Sequence, residues 1–540
     1  MITSYADRIA RSALVAFAAF ALLAVVHTWP LASNPAHLSR NDNGDTILNT
    51  WAIAWVAHQL PRAPAHLFDA NIFYPERHTL GYSEAMVVQG VMAMPVIAGG
   101  GSPVLAYNLV LMAGFALTGW AFWLLVARWT GSVAAAYVSG CLAAFNAHVL
   151  VRLPHLQTQH VEFIALALFA LDRLLASPRA RDALLLGVAF ALQGLTSVYL
   201  LVFTTWLLVF AVAARADDWL RRDRWRAAAW LGVAGVTAVV LLSPYLLAYA
   251  EVHRLQGFER TVDDARDAAG SWVDYLATGG RIHYELWSAP FVARTISANF
   301  PGVTAVVLVA LSLTWPQTRR DRRLRMCLGA AAGCVAVSLA PRAPFFPVLY
   351  RAIPLFWAVR VESHIGQMVL LMIAIAAGFG AAGLLRRIPA RGARVTAALA
   401  LVALVNVEAL RAPLDYTPFS RISRVYDLLA TEPQAIVVEL PFYEGRISFG
   451  NAPYMLNSTR NWRPLLNGYS GFRPASYDVT FERLQSFPDV ASLIALKERG
   501  VTHVVVHGDL MAADVRAAIA RTESLQLLEA EDGLAIYRLR

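Results

Sequence analysis

The chain has 540 residues, of which 57% are hydrophobic and 15% are charged. Soluble domains contain about 45–50% apolar and about 25% charged residues, so this composition excludes an ordinary soluble enzyme and a disordered chain. The net charge is +9, from 46 basic and 37 acidic residues. Such a balance can indicate a nucleic-acid partner, but the arginines occur in short clusters between apolar segments. We therefore expect membrane lipids, and no nucleic acid, as the surroundings of this chain.

Apolar segments recur along the first three quarters of the chain. A membrane-spanning helix needs about 20 mainly apolar residues. We predict about 11 transmembrane helices, at residues 12–31, 103–127, 132–150, 160–176, 182–197, 198–214, 226–249, 301–316, 324–340, 364–386 and 393–411. The first segment also fits a signal peptide, because Arg8 and Arg11 precede it. No small-residue cleavage pattern follows it, however, so we predict an uncleaved span.

The charged residues predict which side of the membrane each loop occupies. With the N-terminus in the cytoplasm, the arginine clusters all fall in cytoplasmic connections, as the positive-inside rule requires. These residues are Arg128, Arg179, Arg181, Arg215, Arg221, Arg222, Arg224, Arg226, Arg319, Arg320, Arg322, Arg323, Arg325, Arg386, Arg387, Arg391 and Arg394. Residues 86–98 are apolar but short, and a re-entrant or interfacial helix there preserves this pattern. We predict a multi-pass protein of the bacterial inner (cytoplasmic) membrane.

The last part of the chain differs in kind. Residues 435–442 and 502–508 are typical of short buried strands, residues 512–522 have helical spacing, and Asp532-Gly533 predicts a hairpin turn. The predicted fold class is an α-helical polytopic membrane protein with a small C-terminal extracytoplasmic α/β domain. Its domains are residues 1–411, which include a first external loop at 32–102, and residues 412–540, which we place in the periplasm.

The first external loop contains the clearest candidates for catalysis. Asp42, Asn43 and Gly44 form a turn pattern, and Asp45 follows at a helix N-cap position. Asp45 either only caps the helix or acts as a general base at the membrane surface. Trp51 and Trp55 are one helical turn apart, which would place this helix in the membrane interface.

Two further polar residues of the same loop are candidates. Asn71 lies in a segment rich in hydrogen-bonding groups, at residues 69–76. Glu84 immediately precedes the apolar residues 86–98 and should therefore lie at the membrane surface. The alternative for Glu84 is a helix N-terminal charge that the helix dipole favours.

The second external loop is short and rich in polar side chains. His155, Gln157, His160 and Glu162 are crowded where two spans meet, and such a group between apolar spans is typical of a lined cavity. The two histidines are five residues apart and do not share a helix face, which disfavours a zinc site.

A later loop contains Arg360, Glu362 and His364. In an extended segment these side chains point to one side, and the Arg360 guanidinium matches the geometry of a phosphate. The alternatives are a surface pair between Arg360 and Glu362, or an arginine that extends to the membrane surface.

Other motifs are uninformative or absent. The sequence Gly378-Phe-Gly-Ala-Ala-Gly fits a dinucleotide fingerprint, but it lies within a span and is more simply explained by helix packing. The sequence contains no P-loop, HExxH or GxSxG motif, which argues against ATP-driven pumps and common hydrolases. No spacing requires a cofactor, although Asp42 and Asp45 leave Mg²⁺ or Mn²⁺ open.

One span, a long acidic external loop, further spans and an extracytoplasmic C-terminal domain together resemble the GT-C superfamily of membrane glycosyltransferases. The layout is similar to YfhO-like and protein O-mannosyltransferase-like members. The family's first-loop catalytic acid corresponds to Asp45, with Asp42 as the second choice, and Glu84 resembles the acid that ends this loop in the lipid A aminoarabinose transferase. The second loop here is rich in histidine where family members usually carry an acid. Arg360 occupies the place of a basic residue that binds the lipid phosphate.

This resemblance implies a sugar donor linked to polyprenyl phosphate and an acceptor that is a glycan, a lipid or a protein. It implies an inverting transfer, with Asp45 as the base and Arg360 on the departing phosphate. Trp51, Trp55 and the aromatic segment 461–469 would line donor or acceptor grooves, although the latter segment could instead only pack onto the membrane domain. Two other classes stay open. They are a transporter or flippase that uses the same acids and histidines, and a non-catalytic assembly subunit.

Overall fold

The computed structural model describes residues 5–40, 43–219 and 224–540, and it describes side chains from residue 12 onward except that of Arg224. Asp42, Arg221 and Arg222, which the sequence singled out, lie outside the described residues. The α-helices in chain order are α1 Tyr5–His27, α2 Gly44–Gln59, α3 Val87–Ala98, α4 Pro103–Thr130, α5 Val133–Ala144, α6 Ala147–Val151, α7 Glu162–Ala176, α8 Ala180–Thr196, α9 Val198–Ala213, α10 Ala216–Trp219, α11 Arg224–Gln256, α12 Val262–Asp267, α13 Arg281–His283, α14 Ala289–Val292, α15 Val303–Thr314, α16 Pro316–Arg319, α17 Arg322–Leu339, α18 Phe346–Ala352, α19 Gly366–Arg386, α20 Arg391–Ala409, α21 Tyr426–Ala430, α22 Ala452–Ser458, α23 Ala475–Leu484, α24 Val490–Glu498 and α25 Ala513–Arg521.

The strands are few and short. They are β1 Leu38–Ser39, β2 Thr417–Pro418, β3 Val437–Leu440, β4 His503–His507, β5 Leu525–Glu531 and β6 Leu534–Leu539. The chain folds into two compact units. Unit 1 comprises Met1–Ser33, Leu109–Pro244 and Glu259–Leu414, and unit 2 comprises Asn34–Asn108, Tyr245–Phe258 and Asp415–Arg540.

Each of the predicted apolar segments is helical, although the segment 132–150 is divided into α5 and α6 by a break at Phe145 and Asn146. Within the described residues, six helices are long and apolar enough to cross a membrane: Pro103–Thr130, Val133–Val151, Trp225–Gln256, Arg322–Arg342, Glu362–Arg386 and Arg391–Ala409. Four more apolar helices are shorter, at Ser12–His27, Val87–Ala98, Val198–Ala213 and Val303–Thr314. The helical membrane architecture is thus confirmed, and the number of crossings stays a prediction.

Unit 1 is built around α19, which is buried along almost its whole length. Glycines allow this close packing. A Cβ atom added at Gly380 would lie 1.9 Å from the Leu308 carbonyl oxygen, and one at Gly378 would lie 2.8 Å from a Val126 methyl carbon. These close approaches confirm that the glycine-rich sequence in α19 serves helix packing.

An ion-pair network connects several helices of unit 1. Arg215 donates to Asp172 of α7 across 2.7 Å, and Arg323 of α17 donates to the other oxygen of the same carboxylate across 2.8 Å. Both the Arg215 and the Asp172 side chains are buried. Since a buried charge is tolerated only when it is paired, these two clustered arginines also hold helices together.

Unit 2 combines the first external loop with the C-terminal segment. Strands β1 and β2 pair antiparallel, so that Leu38 lies opposite Pro418. The loop at 34–108 therefore belongs with residues 415–540, whereas the sequence assigned residues 32–102 to the transmembrane domain.

The main sheet of unit 2 has the strand order β3-β4-β6-β5. Strands β3 and β4 are parallel, and the other neighbours are antiparallel. The turn between β5 and β6 contains Asp532 and Gly533, both at positive φ. Two consecutive positive φ values are typical of the type I′ turn of a tight hairpin. The predicted strands, helix and hairpin of the tail are confirmed.

The apolar residues 86–98 form α3, which has 12 residues. At about 1.5 Å per residue this helix is about 18 Å long, which is less than the roughly 30 Å of a bilayer core. The helix is therefore too short to span. It packs closely on α2, where a Cβ atom added at Gly90 would lie 2.3 Å from a Val56 methyl carbon.

Candidate functional site

Asp45 lies in the first turn of α2 and does not cap the helix, which corrects the predicted N-cap. The cap is Asn43, whose side-chain oxygen accepts a hydrogen bond from the Asp45 backbone N–H at 2.9 Å. A cap residue must have extended backbone angles, and Asn43 has them. The Asp45 carboxylate is therefore not used for capping, and it lies where the helix dipole favours negative charge.

The Asp45 side chain receives a hydrogen bond from the C-terminal part of unit 2. The Tyr469 hydroxyl donates to Oδ1 of Asp45 across 2.7 Å. Both residues are partly exposed, so the carboxylate is held in place and remains accessible. No local sequence pattern could have indicated a partner 424 residues away.

A metal at this place stays a prediction. Asp42 lies outside the described residues, so the structure gives no distance between the Asp42 and Asp45 carboxylates. Among the residues with described positions, no group of three or more His, Cys, Asp or Glu side chains is arranged to hold a metal ion.

The structure corrects the predicted position of Trp51 and Trp55 at the membrane interface. Both indoles are buried, and α2 is buried on all sides from Thr46 to Ala57. The Trp51 indole donates to the Asn71 side chain at 3.2 Å, and the Trp55 indole donates to the Leu67 carbonyl at 2.8 Å. These tryptophans form part of a packed core, and nothing in their geometry supports substrate binding.

Asn71 is also occupied by structural contacts. Its side-chain N–H groups donate to the Ser458 hydroxyl at 3.0 Å and to the Arg463 carbonyl at 3.1 Å. Its carbonyl oxygen accepts the Trp51 indole N–H. The predicted substrate-binding residue therefore ties the first loop to the C-terminal segment.

Glu84 lies before α3, outside its first turn, since the helix begins at Val87 after Met86. The helix-dipole alternative is therefore wrong for this residue. Glu84 lies within electrostatic range of Tyr245 and Tyr249 of α11. The Tyr249 hydroxyl donates to the Ser83 carbonyl at 2.6 Å, which fixes the backbone next to Glu84.

His160 and Glu162 form a buried pair in unit 1. The His160 ring is hydrogen-bonded through Nδ1 to Glu162 at 3.2 Å and through Nε2 to the Val110 carbonyl at 3.2 Å. A Cβ atom added at Gly114 would lie 2.8 Å from this ring. The predicted cavity-lining role is not supported for His160, because both of its nitrogens are occupied.

Other polar side chains of unit 1 form a cluster around His364, which we call the histidine cluster and define as His148, Asn299 and His364. The rings of His148 and His364 are 5.4 Å apart, and the Asn299 side chain donates to the Ser363 carbonyl at 3.4 Å. All three side chains are buried. Within the described part of the chain, no hydrogen-bond partner is found for either nitrogen of His148, for Nε2 of His364 or for Oδ1 of Asn299.

Residues of the second loop surround this cluster. Arg152 and His155 lie within electrostatic range of His148 and His364. Gln157 is buried, and its side-chain oxygen has no partner among the described residues. Sequence reasoning missed His148 and Asn299, although a histidine within an apolar segment is itself a signal of function.

The structure corrects the predicted common face of Arg360, Glu362 and His364. Residues 362–365 form a 3₁₀ helix, not an extended segment, so Glu362 and His364 turn inward while Arg360 stays exposed. The predicted surface pair between Arg360 and Glu362 is wrong, because only 1% of Glu362 is exposed. In the described structure the Glu362 carboxylate has no hydrogen-bond partner.

We compared the chain with known protein families, curated proteins and solved structures to find proteins of similar fold. No protein-family model and no curated protein matches the chain. Among solved structures, the arabinofuranosyltransferase AftD from Mycobacteria is similar over 98% of this chain, with a TM-score of 0.60 and 15% identity. The chain spans only 40% of the length of AftD.

A second solved structure is similar over its full length. ArnT from Cupriavidus metallidurans matches with a TM-score of 0.51 and 14% identity, over 98% of both chains. The chain therefore shares its fold with AftD and ArnT over almost its whole length, as the predicted GT-C layout implies. ArnT bound to undecaprenyl phosphate matches this chain over 97% of both lengths, with a TM-score of 0.50 and 13% identity.

Proposed function

We propose that this GT-C chain transfers a sugar from a polyprenyl-phosphate donor to an extracytoplasmic acceptor, which is a glycan, a lipid or a protein. The single observation that carries the proposal is the Asp45 carboxylate. It lies in the first turn of α2, is partly exposed, and is held by the Tyr469 hydroxyl at 2.7 Å. A fixed and accessible carboxylate in the first external loop is suited to general-base catalysis.

The proposed reaction is a displacement at the anomeric carbon with inversion of configuration. Asp45 takes the proton from the acceptor hydroxyl or amine, and the acceptor atom forms a bond to the anomeric carbon. The bond from that carbon to the phosphate oxygen breaks, and the lipid phosphate leaves with the electron pair. No step in this scheme requires a metal ion.

Arg360 is proposed to bind the departing phosphate. Its side chain is exposed and makes no hydrogen bond or ion pair with any described residue, so its donors are available to a ligand. His364 of the histidine cluster lies within electrostatic range of Arg360 and supports this role, because its Nε2 has no partner among the described residues and an imidazole N–H can donate to a phosphate oxygen. His155, Gln157, Glu362 and His364 remain predicted substrate contacts. Asp42, which lies outside the described residues, remains the second choice of base, and Glu84 remains a further candidate acid.

Two observations support a lipid-linked donor. The apolar helices place the protein in a membrane, where a polyprenyl chain is soluble. The ArnT structure that resembles this chain over its full length is bound to undecaprenyl phosphate. We propose the inner membrane as the location, with the transfer on the periplasmic side.

The test uses the purified full chain in liposomes, supplied with polyprenyl-phosphate-linked hexoses and pentoses and with envelope glycan, lipid and protein acceptors. The expected result is transfer of one sugar class by the wild-type chain and a loss of about 10²- to 10⁴-fold in Asp45→Asn, the usual contribution of a general base.

Asp427→Asn is the matched control. Asp427 is an exposed carboxylate that pairs with Arg460 at 2.6 Å, and surface pairs of this kind contribute little. Full transfer by Asp45→Asn would overturn the proposal. Movement of labelled donor across the liposome membrane without any transfer product would instead favour a flippase.

A further inference from the structure

We infer that Tyr469 is a positioning residue for Asp45, so that the C-terminal segment of unit 2 completes the catalytic base of the first loop. The inference rests on the proposed function. It goes beyond that function because it assigns a catalytic contribution to a residue far from the first loop in sequence.

The hydrogen bond is the first support. The Tyr469 hydroxyl reaches Oδ1 of Asp45 at 2.7 Å, which is a short distance typical of a donor on a charged acceptor. A phenol has two rotatable side-chain torsions and a rigid ring, so it fixes a carboxylate at little cost in side-chain entropy.

Packing fixes the position of the phenol. Tyr469 packs on a small apolar cluster of Ile47, Val104, Ala452 and Leu456, which joins α2 to α22. Its backbone N–H also contacts the Met455 sulfur at 3.2 Å. The ring therefore has support on the α22 side, independent of its bond to Asp45.

The backbone before Asp45 is equally constrained. A Cβ atom added at Gly44 would lie 3.0 Å from Cβ of Phe449 and 3.4 Å from Cε1 of Tyr469. Glycine is thus needed where α2 begins against the segment 445–469. This close approach of the two backbone segments keeps the start of α2, and with it Asp45, next to the Tyr469 ring.

In the proposed reaction Tyr469 does not transfer a proton and acts only through Asp45. During transfer the acceptor proton moves to the Asp45 carboxylate, the bond from the acceptor to the sugar forms and the bond from the sugar to the phosphate breaks. Tyr469 keeps its proton throughout. Its donated hydrogen bond stabilises the charged carboxylate and orients it before the reaction.

Tyr469→Phe removes the hydroxyl and keeps the ring. We expect kcat to fall about 10- to 100-fold, as for the loss of a hydrogen bond to a charged group, with KM unchanged. Tyr469→His, which retains a donor, should recover part of the loss.

Tyr454→Phe is the matched control. Tyr454 is a buried tyrosine of α22 whose hydroxyl donates to the Pro441 carbonyl at 3.3 Å. Loss of that hydroxyl tests the effect of packing without touching Asp45, so the kcat and KM of this variant should be those of the wild type.

A double variant separates the two proposals. If Tyr469 acts only through Asp45, then Tyr469→Phe causes no further loss in an Asp45→Asn background. If Asp45→Asn loses transfer while Tyr469→Phe has the wild-type kcat, this inference is wrong and the proposed function stands. If Asp45→Asn transfers normally, the proposed function itself is wrong.

Discussion

The surroundings of His58 in the folded protein change the pKa of its imidazole. It stacks on Trp462 with ring centroids 4.5 Å apart. Burial, and then the nearby Arg62 charge, lower the pKa of His58 to about 4. In the unfolded chain the pKa is about 6.5. The folded state therefore holds a neutral imidazole at pH values where the unfolded chain binds a proton.

The stability of the folded protein should consequently fall as the pH is lowered from about 6.5 to about 4, because the unfolded state then binds more protons. His58→Gln, which cannot be protonated, should remove part of this fall. Melting temperatures in detergent between about pH 4 and pH 8 measure the effect. His253→Gln, an exposed histidine, serves as the control. A His58→Gln curve parallel to that of the wild type would contradict the prediction.

At the residue scale, the sequence identified the first-loop acids but not their environment. The residues Asp42, Asn43 and Gly44 predicted a turn before α2. Asn and Asp are both common N-cap residues, so the sequence alone could not show that Asn43, and not Asp45, has the extended backbone angles of the cap. The sequence predicted that Arg360, Glu362 and His364 point to one side, because alternate residues of an extended segment share a face. A 3₁₀ turn changes that geometry, and only tertiary packing selects it.

At the scale of elements, the contact between α2 and α3 is one that only a glycine permits. Gly90 lies against Val56 with no room for a methyl group. Gly90→Ala should therefore destabilise the protein by about 1–3 kcal/mol, the usual cost of overpacking. Thermal unfolding in detergent measures the change.

Two further variants make this prediction specific. Val56→Gly removes the opposing Cβ and both methyl groups, which lie 2.3–3.3 Å from the added Cβ, so the double variant should be more stable than the sum of the single effects. Gly232 of α11 has open space around it, and Gly232→Ala should be neutral or stabilising. Equal melting temperatures for Gly90→Ala and the wild type would contradict the assigned packing.

Element types were predictable because they depend on local periodicity. The apolar segments became helices, and the hairpin at Asp532-Gly533 formed because those two residue types accept positive φ. Which elements pack together was not predictable. The Asn71 side chain is hydrogen-bonded to Ser458, and the Tyr469 hydroxyl is hydrogen-bonded to Asp45. No pattern in the neighbouring residues indicates that these residues, which are far apart in the sequence, are in contact.

At the scale of the whole molecule, the net charge of +9 is a sum over segments predicted to lie on opposite sides of the membrane. The arginine clusters follow the apolar helices, as expected for cytoplasmic connections. Two of these arginines, Arg215 and Arg323, also share Asp172 in unit 1. These two arginines thus join helices, in addition to the role in orientation that the positive-inside rule predicts for them.

Sidedness can be tested with thiol labelling, because Cys141, Cys327 and Cys334 are buried. Val490→Cys places a thiol at an exposed position of the predicted periplasmic domain, and Arg391→Cys places one at an exposed position of a predicted cytoplasmic connection. A membrane-impermeant maleimide should label the first in intact spheroplasts and the second only after lysis. The reverse pattern would contradict the predicted orientation.

The central claim is an inverting sugar transfer that depends on Asp45. The most direct measurement is NMR analysis of the anomeric configuration of the product formed by the purified chain from a polyprenyl-phosphate-linked sugar. We predict a product with the anomeric configuration opposite to that of the donor, and about 10²- to 10⁴-fold slower product formation by Asp45→Asn. A product with retained configuration, or equal product from Asp45→Asn, would contradict the claim.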